Sequence, residues 1–294
     1  MPVNDRLKKL FARVEELKPE MRATWAYLVD RDCGSANKAG VDSLGISVRR
    51  FLEKCGFSVR FHEYEKAGNL LVAEKGDMTR PFICLVGHLD TVFPDGASVE
   101  RPLVFRDGIV TGAGCLDMKG GVTILLYAMK ILAEKGWERY PVKILLAGDE
   151  EVAHRNSSAA RDLIEESRGA LMGFNFETGF LDDSVILGRM GYLLYRVEVE
   201  GVSAHAGNNP EDGRSAIMEL ARKMIEIDAL ADHAEGTLIN VGVMGGGTVA
   251  NAIPDKAWCV VDIRFTKADE AERVKKAMDS IAAKAFIEGT RTVL

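Results

Sequence analysis

The sequence predicts an α/β protein in which a mixed open sheet is flanked by helices, followed by a smaller α+β unit of ferredoxin-like type. Three observations carry this expectation. Phe82 to Val86 and Val142 to Ala147 are almost wholly apolar, as strands buried on both faces are. Segments with helical spacing alternate with such strands, the pattern of a layered sheet. After about Arg189 the order changes to strand, helix, strand, strand, helix.

In chain order, Leu7, Leu10, Phe11, Val14 and Leu17 share one helical face, and Val48, Phe51 and Leu52 begin a second helical pattern that Gly56 ends. Strand-like stretches follow at Phe57 to Tyr64, Asn69 to Ala73 and Phe82 to Val86. Gly120 to Lys135 reads as a helix closed by Gly136, Val142 to Ala147 as a buried strand, Ser157 to Ser167 as a helix and Leu171 to Phe176 as a third buried strand. The later part gives a strand at Tyr192 to Glu200, a helix at Asp212 to Leu230, strands at Thr237 to Met244 and Ala257 to Phe265, and a helix at Ala268 to Ile287. This β-α-β-β-α order is one strand short of a ferredoxin-like unit, whose last strand would begin at Thr290 to Leu294. The expected domains are therefore 1–188 and 189–294, the second incomplete at its C-terminal end.

Composition narrows the chemistry. The 294 residues are 47% hydrophobic and 28% charged, enough for two folded domains. Acids outnumber bases 44 to 38 and the two are interspersed, so no electrostatic footprint for nucleic acid or an anionic membrane is present. Cys33, Cys55, Cys84, Cys115 and Cys259 are odd in number and contain no CxxC pair, which argues for reduced thiols rather than a disulfide framework. Met1 to Leu17 has no apolar core of a leader, and no run approaches membrane-spanning length, so a cytoplasmic location is expected.

The chemistry gathers at strand ends, where open α/β sheets bind ligands. Val86-Gly87-His88-Leu89-Asp90-Thr91 follows one strand, Gly148-Asp149-Glu150-Glu151 a second and Phe176-Glu177-Thr178 a third, while Asp117 lies in the glycine-rich loop Gly112 to Gly121. Each piece has an ordinary reading: a lone histidine is more often a satisfied core residue, and paired glutamates are more often solvated. Together they bring an imidazole and several carboxylates to one rim. Acids so crowded repel and raise one another's pKa values unless cations sit among them. Nitrogen with carboxylate oxygen suits zinc, or else cobalt or manganese. A bridging carboxylate can hold two ions about 3.5–4 Å apart, with a spare glutamate as general base.

On the strings GHLDT, GCLDMKGG, GDEE and SAHAG, the chain resembles the zinc metallopeptidase family of glutamate carboxypeptidases, acetylornithine deacetylases, succinyl-diaminopimelate desuccinylases and aminoacylases, from about residue 20 to the C-terminus. The resemblance implies a zinc-exopeptidase-like fold with a lid that dimerises, and two divalent ions per chain. It implies His88 as ligand of one ion, Asp117 as bridge, Glu151 on the second ion and Glu177 on the first. Asp90 would orient His88 through its other ring nitrogen, and Glu150 would be the general base. His205 would reach into the partner subunit's site and stabilise the oxyanion. Asn251 and Arg264 match positions that grip a substrate carboxylate, which a planar guanidinium does by bidentate bonding. The implied reaction is hydrolysis of an amide in a small peptide or N-acyl amino acid, and the implied assembly a homodimer.

Two departures accompany the resemblance. Relatives continue past the lid and supply a second histidine ligand, whereas the histidines here are His62, His88, His154, His205 and His233, and none lies in such a segment. A fragment, or a member that dimerises or binds ligand without catalysis, is the competing expectation. Val152 to Ser158 also replaces a small, glycine-containing loop, and His154 within it is expected to contact substrate or solvent rather than metal.

Overall fold

The computed structural model describes residues 5–182 and 184–294, which divide into two compact units, the second spanning Val185–Leu294. The first unit runs α1 (Asp5–Val29), α2 (Lys38–Lys54), β1 (Ser58–His62), β2 (Gly68–Lys75), β3 (Phe82–His88), α3 (Ala97–Glu100), β4 (Val104–Arg106), β5 (Ile109–Thr111), α4 (Gly121–Glu134), β6 (Val142–Gly148), α5 (Ala159–Ser167) and β7 (Ala170–Asn175). Its main sheet has the order β1-β2-β6-β3-β7. The first two neighbours pair antiparallel, while β3 lies parallel to both β6 and β7.

Alternation along β6 explains why that strand is apolar throughout. Val142, Ile144 and Leu146 join the larger core with α1, α2 and α4 residues, whereas Leu145 and Ala147 join Leu70, Val72, Phe82 and Cys84 on the opposite face. Each of the Val, Ile and Leu side chains among them contributes roughly 1.5–3 kcal/mol on burial. The third strand differs from expectation. β7 is the sheet's edge, paired on one side only, and it leaves Leu171, Met172 and Phe174 about half exposed. An apolar run alone does not reveal how many neighbours a strand will have.

Helix α1 also exceeds its sequence signal, continuing through Pro19 to Val29. Tertiary contacts hold the segment past the proline: Lys130 pairs with Glu20 at 2.6 Å, and Thr24 shares a 2.8 Å hydrogen bond with Tyr127. Helix α2 starts earlier than its apolar pattern suggested, because the Asn37 side chain caps it by accepting from Gly40 N.

The second unit contains β8 (Gly191–Glu200), β9 (Ala204–His205), α6 (Ala216–Asp228), β10 (Thr237–Gly246), β11 (Ala252–Ile253), β12 (Lys256–Phe265), α7 (Ala268–Ala283) and β13 (Arg291–Val293). Its sheet order is β10-β12-β8-β13, antiparallel throughout, with β9 and β11 forming a separate ladder. The strand expected to be missing is thus begun, since Arg291 to Val293 pair with Glu200 to Glu198. Helix α6 starts at Ala216 rather than Asp212, because Ser215 caps it and Pro210–Asp212 forms its own short turn.

Helix α7 stops at Ala283 instead of Ile287 for a reason no local pattern carries. Lys223 and Glu219 on α6 are both fully buried and lie 3.2 Å apart. The lysine donates to Ile281 O and Lys284 O, and the glutamate accepts from Phe286 N and Ile287 N. Together they take over the backbone groups that end the helix.

Candidate metal centre

Strand β3 ends at His88, whose imidazole is 1% exposed. Its Nδ1 faces Asp90 twice, at 3.0 Å from the backbone carbonyl and 3.3 Å from Oδ1. The nearer carbonyl shares the orienting role that the sequence assigned to the carboxylate alone. With Nδ1 so occupied, Nε2 points at the acids: 2.9 Å from Glu177 Oε1, 3.1 Å from Asp117 Oδ1 and 3.8 Å from Glu150 Oε2. Among the described residues, His88, Asp117 and Glu177 are the group whose ligand atoms all lie within 4.8 Å of one another.

Each acid is placed by its own piece of local structure. Gly114, at φ +64°, turns the chain into Cys115–Gly120, the irregular turn that carries Asp117. Met118 behind it is fully buried, and its Sδ accepts from His88 N at 3.0 Å. Gly121 lets the start of α4 abut the chain beside Glu177, since a Cβ there would stand 1.8 Å from Phe176 O. Glu150 and Glu151 sit on the turn after β6, and their backbone amides donate to Asp90 Oδ1 and Oδ2 at 3.0 and 3.2 Å.

Asp90 is therefore a hub, also accepting from Ser35 Oγ at 2.6 Å. Nothing in the sequence marks Ser35, which lies in an unpatterned loop and meets Asp90 only through the fold. Lys119 is another residue that sequence reasoning passed over: it is buried and donates to Arg31 O at 2.8 Å, tying the Asp117 turn to the end of α1.

The electrostatics favour positive charge among these acids. Burial alone would lower the pKa of His88, yet the carboxylates of Asp90 and Glu177 outweigh it and push the imidazole up to about 11. Burial, with the charge of Asp117, pushes Glu151 up to about 7. Burial also raises Glu150, against the opposing pull of His88. One imidazole nitrogen and surrounding carboxylate oxygens form a donor set that fits a divalent ion of the zinc type. Beside Glu177 opens a cavity of about 570 Å³ lined by Met21, Trp25, Phe105, Leu116, Ile124 and Phe176 among others.

The remaining expected site residues belong to the second unit. His205 ends β9, opposite Ala252, and its Nδ1 accepts from Gly207 N and Asn208 N at 3.1 Å each. Asn251 is exposed, and its carbonyl accepts from Ala206 N at 2.9 Å. Arg264 spends its fork on Asp262, at 2.8 and 2.9 Å, and stacks over Tyr192. His154, in the unusual loop, faces Asp149 rather than the acid group.

Comparison with known proteins decides the family. Residues 187–290 match the peptidase dimerisation domain. Acetylornithine deacetylase of Myxococcus xanthus is 31% identical over 285 residues, covering 90% of this chain and 71% of that protein. The chain belongs to the M20 metallopeptidase family. Carboxypeptidase G2 of Pseudomonas sp. (strain RS-16) is 28% identical over 282 residues, which are 93% of this chain and 66% of the relative. The chain thus spans about two thirds of the length of these M20 relatives. An M20 family metallo-carboxypeptidase from Sulfolobus solfataricus shares the fold with a TM-score of 0.70 at 18% identity, over 92% of this chain and 78% of that one. No helix among the described residues is long and apolar enough to cross a membrane.

Proposed function

We propose that this chain hydrolyses an amide bond in a small, carboxylate-bearing substrate, a peptide C-terminus or an N-acyl amino acid, with divalent metal held at the end of the first unit's sheet. The observation that carries the reading is the convergence of His88 Nε2 with Asp117 and Glu177, with Glu150 at 3.8 Å. His88, Asp117 and Glu177 would hold one ion, and Asp117 with Glu151 a second. Such ions supply Lewis acidity toward a carbonyl and make water acidic near neutral pH.

The chain's own groups do the rest. Asp90 keeps His88 turned so that Nε2 faces the acids, and it anchors the amides of Glu150 and Glu151. Glu150, half exposed beside the cluster, accepts a proton on its carboxylate and returns it to the leaving amine. His205, as the resemblance implies, would reach into the partner subunit's site and contribute a hydrogen bond to the oxyanion there. Its Nδ1 already accepts two backbone amides, so a neutral ring presents an Nε2–H donor. Arg264 would bind the substrate carboxylate after exchanging Asp262 for it. The dimerisation-domain match supports a homodimer through this unit.

A second reading has its own observation. Glu151 stands outside the three-ligand group, which favours a member that binds a single ion without turnover. Elemental analysis of zinc per chain, paired with hydrolysis of N-acyl amino acids and dipeptides with and without chelator, separates the two. Two zinc ions with chelator-sensitive turnover support the hydrolase; one ion or none, with no turnover in folded protein, supports the second reading.

A further inference from the structure

The turn that carries Glu150 and Glu151 is held at two points. In front, Asp90 accepts both glutamate amides. Behind, at the end of β6, stands Asp149, 0% exposed. A carboxylate so deeply buried requires partners on both oxygens. His154 Nδ1 supplies one at 2.8 Å and Ser157 Oγ the other at 2.7 Å.

The backbone closes the same loop. His154 N donates to Asp149 O at 3.1 Å, Ala153 N donates to Glu150 O at 2.7 Å, and Ser157 N donates to His154 O at 3.4 Å. Ser157 Oγ also accepts from Ala159 N at 3.0 Å, joining the clip to the first turn of α5. Ala153 and His154 both lie in the left-handed region, at φ 53° and 55°. Two successive non-glycine residues there are costly. The Asp149–His154 side-chain bond is among the contacts that offset that cost, with the backbone bonds that close the loop.

We infer that His154 is a positioning residue, which sets the backbone of Glu150 and Glu151 by clamping Asp149. This rests on the hydrolase reading for its effect on turnover, but not for its effect on the turn. With Nδ1–H donated to Asp149, the ring resembles His88 over Asp90, while its role is to hold carboxylates in place rather than to join them.

Two variants separate the hydrogen bond from the ring. His154→Asn places an amide N–H where Nδ1 stands and tolerates the left-handed backbone. His154→Ala removes the donor. Hydrogen exchange, read by mass spectrometry over the peptide spanning 149–158, reports the turn whether or not the protein holds metal. The expected result is exchange at least about tenfold faster in His154→Ala and unchanged in His154→Asn. Zinc affinity, by competition with a chelator, is expected to fall about tenfold to a hundredfold in His154→Ala, as when supporting residues of metal ligands are removed, and to recover in His154→Asn.

Unchanged exchange in His154→Ala would overturn the inference. So would a His154→Asn protein with wild-type exchange but lost zinc, since the imidazole itself would then be the ligand. A wild-type chain that binds no zinc would count against the hydrolase reading, while the exchange result would still decide the clamp.

Discussion

Replacing Asp90 by asparagine tests the hub on which the site is built. The carboxylate is fully buried and receives Ser35 Oγ and Glu151 N on one oxygen, and Glu150 N and His88 Nδ1 on the other. An amide group must replace one of these oxygens with a donor. Placed at Oδ2, it lets Ser35 rotate its hydroxyl and accept, but the Glu151 amide is left facing an N–H. Placed at Oδ1, it orphans Glu150 N and opposes His88 as well, so the first arrangement is cheaper. One orphaned buried amide costs about 1–3 kcal/mol, and the surviving bonds lose their charge assistance. The sum is about 2–4 kcal/mol of stability. Loosening of the Glu150–Glu151 turn should weaken zinc about tenfold to a hundredfold. Urea denaturation with chelator competition reads both quantities. An Asp90→Asn protein within about 0.5 kcal/mol of wild type and with unchanged zinc affinity would refute the hub.

Four further outcomes are expected. Glu150→Gln should retain zinc while kcat falls about 10²–10⁴-fold; equal loss of metal and turnover would make Glu150 a ligand instead. Zinc affinity should rise with pH through the neutral range, because ions must displace protons from His88, pushed up to about 11, and Glu151, at about 7, and isothermal titration in buffers of different ionisation enthalpy should show proton release. Glu166, bonded to His62, Arg60 and Lys143, is lowered against burial from its ordinary 4.5 to about 2, so its contribution is present above pH 4.5 and lost as pH falls toward 2. That window is worth about 3 kcal/mol at most, and Glu166→Gln should flatten the acid dependence of the urea midpoint there. Lys223→Met leaves Glu219 buried without its counter-ion and should cost about 3–5 kcal/mol, lowering the second unit's melting temperature by roughly 15 °C or more; co-melting with wild type would contradict this.

Much of the architecture was legible because the sheet's inner strands declare themselves. A strand such as Val142–Gly148, buried on both faces, has no polar position to disguise it. The edge strand Ala170–Asn175 reads the same way in sequence but has one neighbour, and neighbour count is a property of the assembled sheet. Within the candidate site, His88, Asp117 and Glu177 stood out in the sequence as an imidazole and two carboxylates at strand ends and in a glycine-rich loop, with their ligand roles implied by the family resemblance, and the fold brings the three together. Ser35 and Lys119 could not, as their work is hydrogen bonding to residues 55 and 88 positions away. Arg264 was legible as a cation, but not as one committed to Asp262.

The sequence by itself determined the fold class, the family and the donor types gathered at the rim, because periodicity and motif chemistry are local and survive without coordinates. Only the tertiary structure decided which strand lies at the edge, why α1 passes its proline, where α7 ends and which aspartates brace the glutamate turn. Those outcomes depend on buried polar groups finding partners distant in the chain, and the cost of leaving such groups unpaired is set by the assembled interior, not by the neighbours in sequence.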